Sequence, residues 1–263
     1  MPMRRWRFID AGARTGAFHM AQDENLARSL EPSPRAPGPG AAGIEPLQVL
    51  RLYRWQPWAI SLGYNQSEGA IDAERCRADG IDVVRRPTGG RAILHAEELT
   101  YCVAMYAERK SVMAVYNDIS RSLVRGLTLM GVEVSLQRSQ PDFPAAYREA
   151  SSIPCFTSSA RYEIEHRGRK LVGSAQRRFS GGARDVVLQH GSILCGTAHR
   201  RLADYLRLED SRALGRIRGE LSAKTTDLAE ILGREVDMGE LKACIRRGFE
   251  LEWDIEFTEG SDT

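Results

Sequence analysis

The sequence predicts an α+β domain built on a mixed, mostly antiparallel sheet flanked by helices. Strand-like segments occur in clusters, and helical segments are appended to the clusters instead of alternating strictly with strands, which is the pattern of this fold class. The chain of 263 residues is 42% hydrophobic and 27% charged, which is the composition of a folded globular protein. We expect one domain over residues 1–263, of which residues 222–263 form a C-terminal helical extension.

The first part of the chain is predicted to contain a strand, a helix and a long loop. Arg4–Ile9 is typical of a short strand, and Phe18–Leu30 places apolar residues at helical spacing. Residues 31–46 are rich in Pro, Gly and Ala, which sustain neither a helix nor a strand, so we expect a flexible surface loop there. Two strands follow, over residues 47–55 and 59–64.

Further strands are predicted on both sides of one clear helix. Arg91–Leu94 and Leu99–Tyr106 are expected to form a strand pair around the turn at His95–Glu98. In Ser111–Met130 apolar residues recur at spacings of three and four, and Gly131 ends the helix. The remaining strands are predicted over residues 81–86, 162–165, 169–172, 186–194 and 253–257. The remaining helical segments are predicted over residues 71–78, 199–206, 227–232 and 238–250.

Charge and cysteine content argue against several classes of protein. The formal net charge is +2 and the paired arginines are scattered along the chain, so nucleic acid is not an expected partner. The first ten residues lack the apolar stretch of a signal peptide, and no window approaches the roughly 18 apolar residues of a membrane span. Five cysteines without a C-x-x-C pair argue against a disulfide framework and a zinc site. We expect a cytoplasmic protein that binds neither membranes nor a metal.

The segment RRPTGGRAILH, residues 85–95, is the first candidate for a binding site. Gly89 and Gly90 follow a predicted strand, and adjacent glycines let the backbone approach a ligand and leave amides free to donate hydrogen bonds. The spacing matches neither the phosphate-binding loop nor the dinucleotide fingerprint. Since Pro-Thr-Gly-Gly is also ordinary turn chemistry, a plain turn is the alternative.

Lys170, in the segment RGRKLVGSAQRR, is the second candidate. A lysine on a strand usually faces solvent, and that is one reading of this residue. If the side chain instead points into a pocket, desolvation lowers its pKa and makes it useful as an acid, a base or a carbonyl anchor. The small residues Gly173, Ser174 and Ala175 directly after it would leave room for a ligand or for tight sheet packing.

Cys155, in the segment SSIPCFTSS, is the third candidate. A nucleophilic cysteine needs a nearby cation or base, and the predicted hairpin could fold Lys170 towards Cys155. The alternative is a buried, inert thiol. Cys102 and Cys195 lie within predicted strands and are expected to be ordinary packed thiols. His190, in LQHGSIL, is ambiguous between a structural and a catalytic role.

Taken together and in order, these segments resemble one family. WRFIDAGARTGAFHMAQDENL, LRLYRWQPWAISLGYNQ, RRPTGGRAILHAEELTYCVA, GRKLVGSAQRR and VVLQHGSIL are similar to the successive signatures of the lipoate–protein ligase and octanoyltransferase superfamily. The resemblance runs from about Trp6 to Leu206, and RRPTGGRAILH and GRKLVGSAQRR are its most specific parts. It implies a catalytic domain with the biotin/lipoate-protein-ligase-like fold.

The resemblance also implies roles for the candidate residues. The loop Thr88–Gly89–Gly90 and the segment Gly173–Ser174–Ala175 would line a tunnel for an acyl chain, and Lys170 would reach the acyl carbonyl. From the same motifs we expect three further residues to contact the substrate. These residues are Arg85, His95 and His190.

Within the superfamily, the segment CFTSSARYEIEHRGRK resembles the Cys-Phe segment of the LipM-type octanoyltransferases, although Thr157 stands where that segment usually has Asp. In those enzymes the cysteine, here Cys155, accepts octanoate from acyl carrier protein as a thioester. A lysine on a lipoyl domain of a 2-oxoacid dehydrogenase, or on the glycine-cleavage H protein, then attacks it. The resemblance thus implies a monomeric acyltransferase of lipoate biosynthesis, with Cys155 and Lys170 as catalytic residues and no cofactor.

Two alternative functions remain open from the sequence. An ATP-dependent lipoate–protein ligase of the same fold would need ATP and magnesium but no cysteine. A non-catalytic protein that binds lipoyl domains or carrier proteins would form no acyl-enzyme.

Overall fold

The computed structural model describes residues 3–31, 46–137, 163–180, 184–208 and 210–262. In these ranges one large sheet and one small sheet form the framework. The strands of the large sheet are β1 (Arg4–Arg14), β2 (Val49–Trp55), β6 (Glu98–Tyr106), β7 (Ser135–Gln137), β8 (Glu163–His166), β9 (Arg169–Phe179), β10 (Val186–Leu194) and β11 (Ile255–Glu259). The expected loop at 31–46 lies almost wholly outside the described residues.

The large sheet has the order β11-β1-β2-β6-β10-β9-β8-β7. The strand β1 runs parallel to both of its neighbours, and every other pair of adjacent strands is antiparallel. The mixed, mostly antiparallel sheet predicted from the sequence is therefore confirmed. The longest ladder joins β6 to β10, where Thr100 lies opposite Ser192 and Cys102 lies opposite His190.

The small sheet contains β3 (Ala59–Leu62), β4 (Asp82–Arg85) and β5 (Ile93–His95), in the order β4-β3-β5. Its presence corrects the prediction that residues 91–94 and 99–106 pair with each other. The strand β5 pairs with β3, whereas β6 lies between β2 and β10. The carbonyl of Glu97, between them, accepts hydrogen bonds from the amides of Cys195 and Gly196 at 2.8 and 3.1 Å. These bonds tie the bend to the end of β10 and direct the chain from one sheet to the other.

The helices cover the two faces of the large sheet. Their bounds are α1 (Gly16–Ser29), α2 (Ala73–Ala78), α3 (Val112–Leu129), α4 (Ser211–Lys224), α5 (Leu228–Leu232) and α6 (Met238–Trp253), with 3₁₀ segments at Glu68–Ala70 and Ala198–Tyr205. The side chains of Thr15 and Ser111 cap the amino ends of α1 and α3. In the part of the chain that the structure describes, no helix is both long and apolar enough to cross a membrane.

The helix α4 was not predicted. Its buried residues Ala213, Ile217 and Leu221 recur every fourth position, which gives only one fully buried side chain per turn. Two glycines, Gly215 and Gly219, also interrupt the helical composition. Packing against the 3₁₀ segment Ala198–Tyr205 stabilises α4 where its local sequence does not.

The carboxy-terminal region is part of the core and not an appendage. The helices α6 and α3 approach each other closely at two glycines. A Cβ atom on Gly126 would lie 2.8 Å from the carbonyl oxygen of Cys244. A Cβ atom on Gly248 would overlap the carbonyl oxygen of Ser122. The indole of Trp253 donates to the Ser122 hydroxyl at 2.7 Å. The chain then adds β11 to the sheet beside β1. The final strand predicted over residues 253–257 is therefore confirmed as β11, at the end of the predicted helical extension.

Candidate active site

A cavity lies between the two sheets and the helix α1. Both sheets contribute to its wall, so the folding of the domain itself creates it. The residues that line the cavity are Met20, Tyr53, Trp55, Ser61, Arg86, Ile93, His95, Thr100, Gly173, Ser174, Ala175, His190, Gly191 and Ser192. Aliphatic and aromatic groups alternate with a few fixed polar groups, which is the usual composition of a small-molecule site.

One side of the wall is held by a buried hydrogen-bond network around Asp23. The carboxylate of Asp23 contacts Nδ1 of His190 at 2.9 Å, accepts from the Tyr53 hydroxyl at 2.8 Å, and pairs with Arg51 at 3.0 Å. On the other side of the imidazole, Nε2 of His190 lies 2.7 Å from the hydroxyl of Thr88. Asp23, Arg51 and Tyr53 are all fully buried. The network therefore joins α1 to the loop before Gly89.

The same Arg51 is held from a second direction. Its Nε and Nη2 donate to the two carboxylate oxygens of Asp262, each at 2.7 Å. Burial alone would lower the pKa of Arg51, but Asp262 and Asp23 raise it above the ordinary value. A fully buried guanidinium with two carboxylate partners stays charged, and its bidentate geometry fixes the orientation of the network.

A second buried network forms around Glu98. Its Oε1 lies 2.8 Å from Nδ1 of His95 and accepts from the hydroxyls of Thr100 and Ser192 at 2.6 and 2.7 Å. Nε2 of His95 lies 2.7 Å from the Ser61 hydroxyl. Burial lowers the pKa of His95 despite the neighbouring carboxylate, so the imidazole is neutral at pH 7. The two networks thus have the same order of carboxylate, imidazole and hydroxyl.

The glycine loop is fixed by Arg86, which is 5% exposed. Its guanidinium donates to the carbonyls of Ser61, Gly89 and Arg91, at 3.0, 2.8 and 2.8 Å. Gly90 has a φ of +96°, a backbone conformation that favours glycine. A loop held by one buried arginine is preorganised beside the cavity.

Arg85, which was expected to contact the substrate, does not line the cavity. Its guanidinium donates to the carbonyls of Gly63, Tyr64 and Gln66 and pairs with Glu68 on the outer surface. Because successive side chains on a strand point to opposite faces, the next residue, Arg86, faces the cavity instead. Arg85 lies in an adjoining surface groove, which shares Met20 and Arg86 with the cavity.

Lys170 is buried, with 4% of its surface exposed, so the solvent-facing alternative is wrong. Its Nζ lies 2.5 Å from Oε1 of Glu163, at the start of the same hairpin. Lys170 precedes the cavity-lining segment Gly173–Ser174–Ala175 on β9, and its Cα lies about 10 Å from that of Gly173 at the usual rise of a strand. The side chain is not among the described residues that line the cavity.

The described cysteines behave as packed thiols. Cys102 and Cys195 are buried, and burial raises the pKa of Cys195 to about 12, so neither is a thiolate at neutral pH. Cys155, the predicted nucleophile, lies outside the described residues.

The structure brings five of the predicted substrate-binding residues into the cavity wall, and a sixth, Thr88, contacts the wall through His190. The five are His95, Gly173, Ser174, Ala175 and His190. Gly89 and Gly90 do not line the cavity themselves; Arg86, which donates to the Gly89 carbonyl, does. The buried charged groups Asp23, Arg51, Arg86 and Glu98 were missed. A charge inside an otherwise apolar run, such as Arg51 in VLRLY, is the signal that could have indicated them.

No group of three or more potential metal ligands is found within the described ranges.

The chain is similar to known proteins over nearly its whole length. The family described as lipoyl protein ligase A/B catalytic domain matches residues 16–250. The octanoyltransferase LipM of Symbiobacterium thermophilum is 38% identical over 261 residues, covering 98% of this chain and 90% of that protein. That of Bacillus subtilis is 33% identical over 262 residues, covering 97% and 88%.

Solved structures share the fold at lower identity. A bipartite lipoate protein ligase from Thermoplasma acidophilum, described with its E2 lipoyl domain, has a TM-score of 0.76 and 19% identity, covering 99% of this chain and 88% of that one. A lipoate-protein ligase A bound with ATP has a TM-score of 0.73 and 20% identity, covering 98% and 90%. These similarities show the architecture.

Proposed function

The chain belongs to the lipoyl protein ligase A/B catalytic-domain family and is an octanoyltransferase of lipoate biosynthesis, and from this premise we propose that Cys155 and Lys170 carry out the transfer through an acyl-enzyme thioester. The observation that carries the proposal is the position of Lys170. Lys170 is buried, pairs with a carboxylate, and lies on the same strand as the cavity-lining residues Gly173–Ala175, which supports a role for this lysine in the reaction.

In the first step the donor is octanoyl-acyl carrier protein. The Cys155 thiolate attacks the thioester carbonyl, the new carbon–sulfur bond forms, and the carbon–sulfur bond to the carrier breaks. The carrier thiolate leaves and takes up the proton that Cys155 released. The Lys170 ammonium stabilises the Cys155 thiolate and the oxyanion of the tetrahedral intermediate, and one such donor contributes about 3 kcal/mol.

In the second step the acceptor is the amino group of a lysine on a lipoyl domain or on the glycine-cleavage H protein. The amine attacks the acyl-enzyme, the carbon–nitrogen bond forms, and the bond to Sγ of Cys155 breaks. The proton of the amine passes to the cysteine sulfur through Lys170. Atoms and charge balance without ATP, so the reaction needs no further reactant.

The octanoyl tail occupies the cavity lined by Gly173, Ala175 and Ile93. Burial of its seven methylene and methyl groups contributes roughly 0.8 kcal/mol each. The small residues on β9 let the chain lie against the sheet, and the neutral imidazole of His95 adds no charge to the wall. Tail burial therefore favours octanoate over shorter acyl groups.

The test is intact-protein mass spectrometry after mixing with octanoyl-acyl carrier protein in the absence of ATP. The wild type should gain one octanoyl group and lose it when an apo lipoyl domain is added. Cys155→Ala should gain none. Cys244→Ala is the matched control, because this half-buried thiol lies on α6 and should leave adduct formation unchanged.

Two other results would replace the proposal. Lipoate attachment by Cys155→Ala with ATP and magnesium would identify an ATP-dependent ligase. Binding of a lipoyl domain without any adduct or turnover would identify a non-catalytic binding protein.

A further inference from the structure

We propose that Glu163 is a positioning residue that holds Lys170 as an oriented ammonium ion in the resting enzyme. The inference rests on the proposed function, since it concerns the lysine of the proposed catalytic pair. The contact with Glu163 means that Lys170 enters the reaction as a cation that stabilises negative charge. Lys170 is then not a neutral amine that removes a proton from Cys155.

The geometry of the hairpin sets up this contact. The strands β8 and β9 are joined by the turn at Arg167–Gly168, and their register shifts by one residue between Ile164 and Glu165. Glu165 lies opposite Lys170 in this ladder, and Glu163, two residues away on β8, is the diagonal neighbour that a long side chain can reach. The two charged atoms are 2.5 Å apart, and the side chains are 5% and 3% exposed.

Burial and the contact with Glu163 act in opposite directions on the charge of Lys170. Removal of a lysine from water favours its neutral form, whereas a carboxylate in contact favours the ammonium. A buried ion pair with this geometry favours the charged form of both groups. Glu163 therefore sets the charge of Lys170 and also its direction.

Other titratable groups lie on Lys170's own strand and on the segments beside it, and each has a described partner or position. Glu165 lies opposite Lys170 in the ladder; burial, and then the charge of Glu163, raise its pKa above the ordinary value. His166 contacts the Glu133 carbonyl at 2.7 Å. The groups on the other neighbouring segments are Arg169, which pairs with Glu230; Asp227, 3.8 Å from Arg200; and the thiol of Cys195, at the end of β10.

The chemical consequence concerns the first step. A lysine that is already protonated cannot deprotonate Cys155, so the thiolate forms by loss of its proton to solvent and is stabilised by the ammonium. When the thiolate becomes a neutral thioester, Glu163 remains to balance the charge of Lys170. The lysine is then still a cation when the target amine attacks, and it can stabilise the second oxyanion.

The direct test measures the protonation of Lys170 by NMR in protein labelled with ¹³Cε-lysine. The chain contains four lysines, Lys110, Lys170, Lys224 and Lys242, so the spectrum is simple and Lys170→Arg assigns the signal. In the Cys155→Ala background, Glu163→Gln should lower the pKa of the Lys170 amine by about one to three units. Glu165→Gln is the matched control and should lower it by less.

Activity gives a second readout. For acyl-enzyme formation in the presence of Cys155, the alkaline limb of the pH profile should move to lower pH in Glu163→Gln by the same interval as the amine pKa. Glu163→Asp keeps the carboxylate and should restore the wild-type profile at least in part. This rescue separates the charge effect from damage to the fold, which a melting curve for each variant measures.

An unchanged amine pKa in Glu163→Gln, or equal shifts in both glutamine variants, would overturn the role of Glu163. The NMR measurement does not require acyl transfer. Full activity of Cys155→Ala would therefore sink the proposed mechanism while leaving the ion-pair result to be judged separately.

Discussion

His190 and Asp23 are joined by a contact of 2.9 Å between Nδ1 and Oδ2, with 5% and 0% of their surfaces exposed. Burial would raise the pKa of Asp23, but the hydrogen bond and charge of His190, with Arg51, lower it below the ordinary value. An ionised carboxylate can only accept, so Nδ1 of His190 carries the hydrogen. Nε2 of His190 lies 2.7 Å from the Thr88 hydroxyl, so the same imidazole connects Asp23 to the glycine loop.

Replacement of Asp23 by Asn should therefore destabilise the protein strongly. The change leaves Arg51 buried with one carboxylate, and loss of a buried partner costs about 3–5 kcal/mol. Urea unfolding measures the effect. Glu24→Gln is the control, because the Glu24–Arg28 pair is partly exposed and should contribute less than about 1 kcal/mol. A stability equal to that of the control would contradict the central role of Asp23.

Stability should fall as the pH drops from about 6.5 to 4. Burial lowers the pKa of His19 and of His199 to about 4 each, and it also lowers the pKa of His95. Their folded-state values lie below the unfolded ones, so the unfolded chain takes up protons first and acid favours unfolding. With three such groups the slope reaches at most roughly 4 kcal/mol per pH unit.

The depressed pKa values of Asp23 and Glu98 add a loss at still lower pH. Their contribution is present above the ordinary carboxyl values and is lost as the folded groups protonate. Urea midpoints between pH 8 and pH 3.5 check both parts. A flat free energy of unfolding between pH 6.5 and 4.5 would count against neutral, buried histidines.

Two glycine variants should separate loop packing from loop chemistry. Gly63→Ala should destabilise the protein and abolish transfer, because its Cβ would overlap the carbonyl oxygen of Gly90. Gly89→Ala meets nothing within 4 Å and should fold normally. Melting curves compare the two variants. Any loss of activity in a stable Gly89→Ala protein would then report a contact between the glycine loop and the substrate. Equal destabilisation of the two variants would mean that the glycine loop does not have the conformation described above.

A larger residue at Ala175 should change the preference for acyl length. Leucine would take volume from the cavity that Ala175 lines, so octanoyl transfer should fall at least about tenfold, the equivalent of two buried methylenes. Butanoyl transfer should fall less. The ratio of kcat/KM for the two carrier-bound substrates is the measurement, and equal losses for both would mean that the tail does not pass this residue.

Local patterns predicted much of the fold. The helix at Val112–Leu129 has a strong apolar stripe and a capping serine, so its existence and bounds follow from the sequence. The separation of β5 from β6 does not, because it depends on Glu97 contacting the distant residues Cys195 and Gly196. The helix α4 was missed for the related reason that its stability comes from packing.

The candidate site was predictable in part. The motifs indicated His95, His190 and the small residues on β9, since glycines and histidines stand out within strands. They did not indicate Asp23 or Glu98, because a carboxylate in a helix or strand is usually a solvated charge. Only the tertiary structure places each carboxylate against an imidazole. The motif did not show that Arg86 faces the cavity and Arg85 faces the outer surface. That difference depends on how the strand before the glycine loop is oriented.

Trp55 has a further consequence for spectroscopy. Its ring stacks on His95, with centroids 3.9 Å apart and planes 11° apart, and its Nε1 donates to Thr100 at 2.7 Å. The indole is 3% exposed and forms part of the cavity wall. An acyl chain that enters the cavity must lie against this fluorophore. The emission of Trp55, isolated by replacing the other three tryptophans, should thus act as an internal optical signal of loading and discharge, without any attached dye.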